Sequence, residues 1–297
     1  MNHQVVGIGE ILWDHLPGGS TMGGAPANFA CHARALGAES AVVSRVGDDG
    51  EGHGLLAHLS DLGVGVGGVS TDDRFPTGSV SVELLDGGLP RYVIAENVAW
   101  DHLVPTARAM ELLKRADAVC FGTLAQRSPV SAAAIHDLVG SVGPDTLRVL
   151  DVNLRQDVLS AETIESSFAM ADVLKLNDEE LPRIAKLLGI AGSLRETFGT
   201  LVDRFGFRMI AYTRGANGSV LFDGAEWCEG AGREVKLRDT IGAGDSFVAA
   251  LTLGVLKGWP IDRISLTANE VAAYVCSMPG AIPALPAHLV ARFADGD

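Results

Sequence analysis

The sequence predicts an α/β fold, a doubly wound and mostly parallel sheet with a small β-sheet lid inserted into it. Short β-branched runs that are apolar throughout alternate with alanine- and leucine-rich stretches of helical length, the pattern of strands covered by helices on both faces. Polar and glycine residues gather directly after those runs, at the carboxyl ends of parallel strands where open α/β sheets hold their ligands. Two segments, Ile11 to Thr21 and Thr77 to Ala99, lack helical periodicity and interrupt the alternation.

In chain order, Val5-Val6-Gly7-Ile8 reads as a strand, 27 to 36 as a helix, Ala41-Val42-Val43-Ser44 as a strand and 51 to 62 as a helix. The glycine-rich stretch Gly63 to Gly68 reads as a loop. Ser79 to Leu85, then Asp86-Gly87-Gly88, then Arg91-Tyr92-Val93-Ile94 has the form of an antiparallel hairpin. The alternation resumes with strands at Ala118 to Phe121, Arg148 to Val152, Val173 to Leu176 and Met209 to Tyr212, and residues 246 to 257 form a largely apolar helix. The expected division is a core of 1-10, 22-75 and 101-297 and a lid of 11-21 and 76-100. Such a lid would exclude water from a reaction; a plain edge hairpin or a dimer contact fits the same segment.

With 297 residues the chain holds one large α/β domain or two smaller ones. Its composition, 47% hydrophobic and 20% charged, is that of a globular protein. A net charge of −14 argues against nucleic acid as a partner, because that affinity comes from Lys and Arg on phosphates. The cysteines Cys31, Cys120, Cys228 and Cys276 are far apart and form no zinc or disulfide pattern. The N-terminus lacks the basic and apolar regions of a signal peptide, and no apolar run reaches the ~18 residues of a membrane span. A cytoplasmic protein with reduced thiols is expected.

The most telling motif is Asp239-Thr240-Ile241-Gly242-Ala243-Gly244-Asp245-Ser246-Phe247. Two glycines bring bare N–H groups to the start of a helix, whose unpaired donors and partial positive charge favour an anion, and Asp245 stands beside them as a candidate base. An N-cap role for Asp245 fits the same residues. Three further loops share the sheet edge: Asp151-Val152-Asn153-Leu154-Arg155, Leu176-Asn177-Asp178-Glu179-Glu180 and Thr213-Arg214-Gly215-Ala216-Asn217-Gly218. Helix caps and turn residues would explain each singly; their convergence on one edge is better explained by a site. Gly7-x-Gly9 is no dinucleotide fingerprint, since Leu12 stands where the third glycine belongs.

Gly23-Gly24-Ala25-Pro26-Ala27-Asn28-Phe29-Ala30, with Gly37 and Gly47 downstream, resembles the N-terminal signature of the ribokinase-like (PfkB) carbohydrate kinases, and Asp239 to Leu251 resembles their C-terminal one. The Gly9-Glu10 pair, Val46 to Gly50, the Asn177/Glu180 pair and the Thr213, Gly215, Gly218 set follow in the family's order. Phe121 to Arg127 and Asp151 to Arg155 look most like bacterial fructokinases.

The resemblance implies ATP-dependent phosphorylation of a primary hydroxyl on a sugar, fructose first among candidates, with ribose, 2-keto-3-deoxygluconate or a nucleoside as alternatives. A non-catalytic sugar- or nucleotide-binding regulator is the rival from another class. The resemblance further implies Asp245 as general base, with the N–H groups of Gly242, Ala243 and Gly244 as anion hole. Glu180 and Asn177 would organise Mg2+ through water, and Thr213, Gly215, Gly218 and Asn269 would line the ATP site. Asp14, Gly24 and Asn28, then Gln126 and Arg155, would recognise the sugar. Asp239 and the segment near Gly280 would hold a potassium ion. Apart from the resemblance, the exposed strands of the lid offer a surface for a homodimer.

Overall fold

The computed structural model describes residues 3–16, 18–84, 90–155 and 160–294. Its first half alternates as the apolar runs require: β1 (Gln4–Ile8), β2 (Leu12–Leu16), β3 (Gly19–Gly23), α1 (Ala25–Ala35), β4 (Glu39–Gly47), α2 (Gly50–Asp61), β5 (Gly65–Asp72), β6 (Gly78–Leu84) and β7 (Pro90–Ile94). The chain continues through α3 (Ala107–Leu113), β8 (Ala118–Gly122), α4 (Pro129–Gly140), β9 (Leu147–Asp151), α5 (Ala161–Ala169), β10 (Val173–Asn177), α6 (Glu180–Leu187) and α7 (Leu194–Phe205). It closes with β11 (Met209–Thr213), β12 (Ser219–Phe222), β13 (Trp227–Gly230), α8 (Ala243–Leu256) and α9 (Ile261–Cys276).

Nine strands form one sheet in the order β13-β12-β11-β10-β9-β8-β1-β4-β5, parallel from β5 to β11 and antiparallel at the β12 and β13 edge. Helices cover both faces. On one side α1 and α8 pack with Phe29, Leu55, Phe247 and Leu251 in the core; on the other, Phe121, Ile135, Phe168 and Phe198 fill it. Burial on both faces is why these strands read as continuous apolar runs.

The remaining four strands make a separate sheet in the order β3-β2-β6-β7. The expected hairpin pairs as β6 with β7, Val80 opposite Ile94; its turn, Asp86 to Gly88, lies outside the described residues. Asp49 and Arg127 tie this sheet to the large one. The Asp49 carboxylate accepts bonds from the Thr77 N–H and hydroxyl before β6, while Arg127 pairs with Asp101 and donates to the Ala95 carbonyl after β7.

Two expectations need correction. Gly63 to Gly68 is not a loop: β5 begins at Gly65 and pairs with β4 through a register shift between Ala41 and Val43. Its glycines fit that irregular, close approach, since a Cβ at Gly68 would press on the Val42 carbonyl and the Val43 side chain. The helix after Gly242 begins at Ala243 rather than 246, so the candidate base lies inside its first turn. Among the described residues no helix is long and apolar enough to cross a membrane.

Candidate active site

The carboxyl ends of β1, β9, β10 and β11 face the N-terminus of α8, and the site is built there. Gly242 is the N-cap with φ 76, a conformation that favours glycine, and a Cβ on it would collide with the Ala281 carbonyl. At this terminus the Ala243 N–H donates to the Thr240 carbonyl at 3.3 Å, and Ala243 and Gly244 both line a cavity. That cavity, about 780 Å3, is lined by Thr213, Gly215, Gly218, Ala243, Gly244 and Asn269 among others, within the size range of small-molecule sites. Of the residues expected on the nucleotide side, Thr213, Gly215, Gly218, Gly244 and Asn269 line this cleft, and Asn177 and Gly242 do not. Gly215 and Gly218 also turn the chain between β11 and β12, so their turn role and their place in the cleft coincide.

Asp245 faces the other side. Its carboxylate accepts a 2.8 Å bond from the Asn28 Nδ2 on α1, while the Asn28 Oδ1 is buried without a bond. Burial and the nearby Asp151 charge push the Asp245 carboxyl up to about 6, against the lowering effect of Asn28, Lys175 and Arg155. Glu10, 1% exposed, accepts a bond from the Ala25 N–H at the start of α1. Burial raises its carboxyl to about 7, with Asp245 adding to the rise.

Behind the helix terminus lies a buried ion pair that sequence reasoning did not single out. Lys175 Nζ donates to Asp151 Oδ1 at 2.8 Å, with the two residues 5% and 4% exposed and directly opposite in the β9–β10 register. Burial disfavours the ammonium, but Asp151 and Glu180 outweigh it and hold Lys175 protonated. A lysine inside the apolar run Val173 to Leu176 was the available signal, because a buried cation needs a carboxylate on a neighbouring strand.

Glu180 and Asn177 are joined by hydrogen bonds in both directions. The Asn177 Oδ1 accepts the N–H groups of Glu179 and Glu180, capping α6. The Glu180 carboxylate accepts the N–H groups of Leu154 and Asn177. Glu180 is buried, which raises its carboxyl, and Lys175 counters that rise.

On the acceptor side, Asp14 lies on β2, its carboxyl raised by burial and lowered by the Arg155 charge. Gly23, across the β2–β3 pair, leaves it room: a Cβ there would collide with the Asp14 carboxylate. Gly24 has φ 107 and sits against the Glu10 carbonyl, so it shapes the entry to α1 through its backbone. Arg155 is exposed, yet its charge bears on Asp14, Glu10 and Asp245. Gln126 stands apart. Its Nε2 donates to the Gly122 carbonyl, its Oε1 accepts from Ser167, and it is 4% exposed, so its amide oxygen and one amide hydrogen are engaged inside the protein. Asp239 bridges the Ile241 and Gly280 N–H groups, joining its loop to that segment.

The profile of the pfkB family carbohydrate kinases matches residues 18–288. The chain belongs to that family. Among relatives, it is 30% identical to fructokinase-2 of Oryza sativa subsp. japonica over 97% of this chain and 92% of that protein. Another relative, from Pyrococcus horikoshii, is 30% identical over 87% of this chain and 82% of that one. The crystal structure of this uncharacterized sugar kinase in complex with ATP aligns with a TM-score of 0.80 and 28% identity, covering 94% of each chain. Fructokinase with bound ATP from Xylella fastidiosa aligns at a TM-score of 0.85, covering 99% of this chain and 98% of that one; at 20% identity this is a likeness of fold. The ribokinase-like architecture, with its large mostly parallel sheet and smaller separate sheet, is common to these kinases.

Proposed function

We propose that this family member transfers the γ-phosphoryl group of ATP to a primary hydroxyl of a neutral monosaccharide, with fructose as the first candidate. The observation that carries the reading is the placement of Asp245: inside the first turn of α8, bonded to Asn28 on one side and next to Gly244 of the 780 Å3 cleft on the other. Relatives named fructokinase, at about 30% identity over most of both chains, support the choice of acceptor.

On this reading Asp245 accepts the proton of the acceptor hydroxyl as that oxygen forms its bond to the terminal phosphorus and the bond to the leaving ADP oxygen breaks. A carboxyl titrating near 6 is ionised at neutral pH and still basic enough to share the proton in the transition state. The first-turn N–H groups of α8, around Gly242, Ala243 and Gly244, stabilise charge on the transferred group. Asp14, Asn28 and Arg155 orient the acceptor, and the small sheet closes over it as a lid.

Magnesium, bound with the nucleotide, would neutralise part of the phosphate charge. Among the described residues no group of three or more His, Cys, Asp or Glu side chains is arranged to hold a metal by itself. Glu180 has both oxygens engaged by backbone N–H groups, which suits contact with the ion's water shell, and Asn177, its Oδ1 occupied, offers only its amide N–H groups. A potassium ion would be held where Asp239 meets the Gly280 segment. The edges of the small sheet, β3 and β7, with Tyr92 62% exposed, provide the surface for a homodimer.

Arg155 favours a second acceptor class. Its positive charge beside Asp14 and Asp245 suits the carboxylate of a 2-keto-3-deoxy sugar acid. Measuring ATP consumption with fructose, ribose, glucose, mannose, ketodeoxygluconate, nucleosides and fructose 6-phosphate separates these readings. Fructose should give the highest kcat/KM; a preference for ketodeoxygluconate selects the second, and no turnover with any of them contradicts the kinase reading.

A further inference from the structure

We infer that His32 is a positioning residue for phosphoryl transfer, fixing the Ala281 carbonyl beneath Gly242 and so setting the turn that presents the N–H groups of α8. His32 is 0% exposed and lies one helical turn after Asn28 on α1. Its Nε2 is 2.9 Å from the Ala281 carbonyl oxygen. A carbonyl only accepts, so Nε2 carries the hydrogen and the ring is the neutral Nε2–H tautomer. The Nδ1 is buried with no bond. A proton added there would find no acceptor, in keeping with a ring that burial pushes down to about 4.

The Ala281 carbonyl is in direct contact with the catalytic turn. It lies where a Cβ on Gly242 would have to go, and Gly242 is the N-cap of α8. Two consequences follow for charge developing at that terminus. The His32 bond fixes the carbonyl in direction, so Gly242 keeps one conformation. It also draws on the negative end of the carbonyl dipole, which would otherwise oppose an anion gathering one residue away. One face of α1 thus holds both halves of the machinery: Asn28 orients Asp245 and, one turn on, His32 supports the anion-binding turn.

The inference rests on the kinase reading, and the test separates the two. His32→Phe keeps an aromatic ring but loses the donor; His32→Gln restores an N–H near the Nε2 position. For each, kcat, the KM values, the thermal midpoint and the affinities for ADP alone and for ADP with beryllium fluoride, a phosphoryl mimic needing no acceptor, are measured with Mg2+ present. His32→Phe should lower kcat about tenfold or more, with the acceptor KM within about twofold, and weaken ADP with beryllium fluoride but not ADP alone. His32→Gln should recover kcat to within about threefold of the parent at a similar thermal midpoint. Equal kcat for the two variants, or an unchanged preference for the fluoride complex in His32→Phe, overturns the role. A parent protein that neither turns over an acceptor nor distinguishes the fluoride complex from ADP contradicts the kinase reading instead.

Discussion

Asn28 and Asp245, 217 residues apart in the chain, meet through a 2.8 Å hydrogen bond from the amide nitrogen of one to the carboxylate of the other. The bond joins the N-terminal turns of α1 and α8, and it lowers a carboxyl that burial would otherwise raise further. Asn28→Leu removes the donor, so the acid limb of kcat/KM against pH should move upward from its parent midpoint near 6. The variant should also lose about tenfold to a hundredfold in kcat at neutral pH. A pH–rate profile with an unmoved midpoint would show that the bond does not tune the base.

Glu10 makes a prediction about stability. Its carboxyl is raised from 4.5 in the unfolded chain to about 7 in the fold. The folded state therefore binds that proton more tightly: the contribution is fully present below pH 4.5 and lost as pH rises through about 7. The loss is about 3 kcal/mol at most by linkage. Glu10→Gln removes it, so the variant should gain stability over the parent at pH 8 and lose that advantage at pH 5. His32, lowered from 6.5 to about 4, acts with the opposite sign and weakens the fold as pH falls through that window in both proteins. Urea midpoints at the two pH values measure the difference; an equal gain at both would contradict the assignment.

The Lys175–Asp151 pair is buried on both sides. Lys175→Met leaves the Asp151 charge buried without its cation and should cost about 3–5 kcal/mol. Combining it with Asp151→Leu should return a large part of that loss, because the desolvation of both charges disappears together. Denaturant unfolding of the two singles and the double gives the coupling directly. Additive losses would mean that the pair is not coupled as its geometry requires.

Much of this molecule was readable from side-chain pattern. Runs such as Val119 to Phe121 and Val173 to Leu176 are apolar because helices cover both faces of the large sheet, so their strand state follows from composition alone. Strand β5 was hidden, since its glycines serve a close approach to β4 that only the paired strand explains. The site divides the same way. Asn177, Glu180, Thr213 and Gly215 stand at or just after the ends of strands and announce themselves by position, while Asp245 does so through the glycines before it at the start of α8. Gln126 follows a strand too, yet its amide is engaged by Gly122 and by Ser167, 41 residues later, which spacing cannot reveal. Lys175 was passed over for the reverse reason: it sits inside an apolar run, and its partner belongs to the neighbouring strand.

The central claim is that Asp245 removes the acceptor proton. Asp245→Asn keeps the shape and the place for Asn28 while abolishing the base, so steady-state turnover and nucleotide binding on this one variant test it most directly. The account predicts a fall in kcat of about a hundredfold to ten-thousandfold, with affinity for ATP unchanged within about threefold. A variant that turns over at close to the parent rate would contradict it.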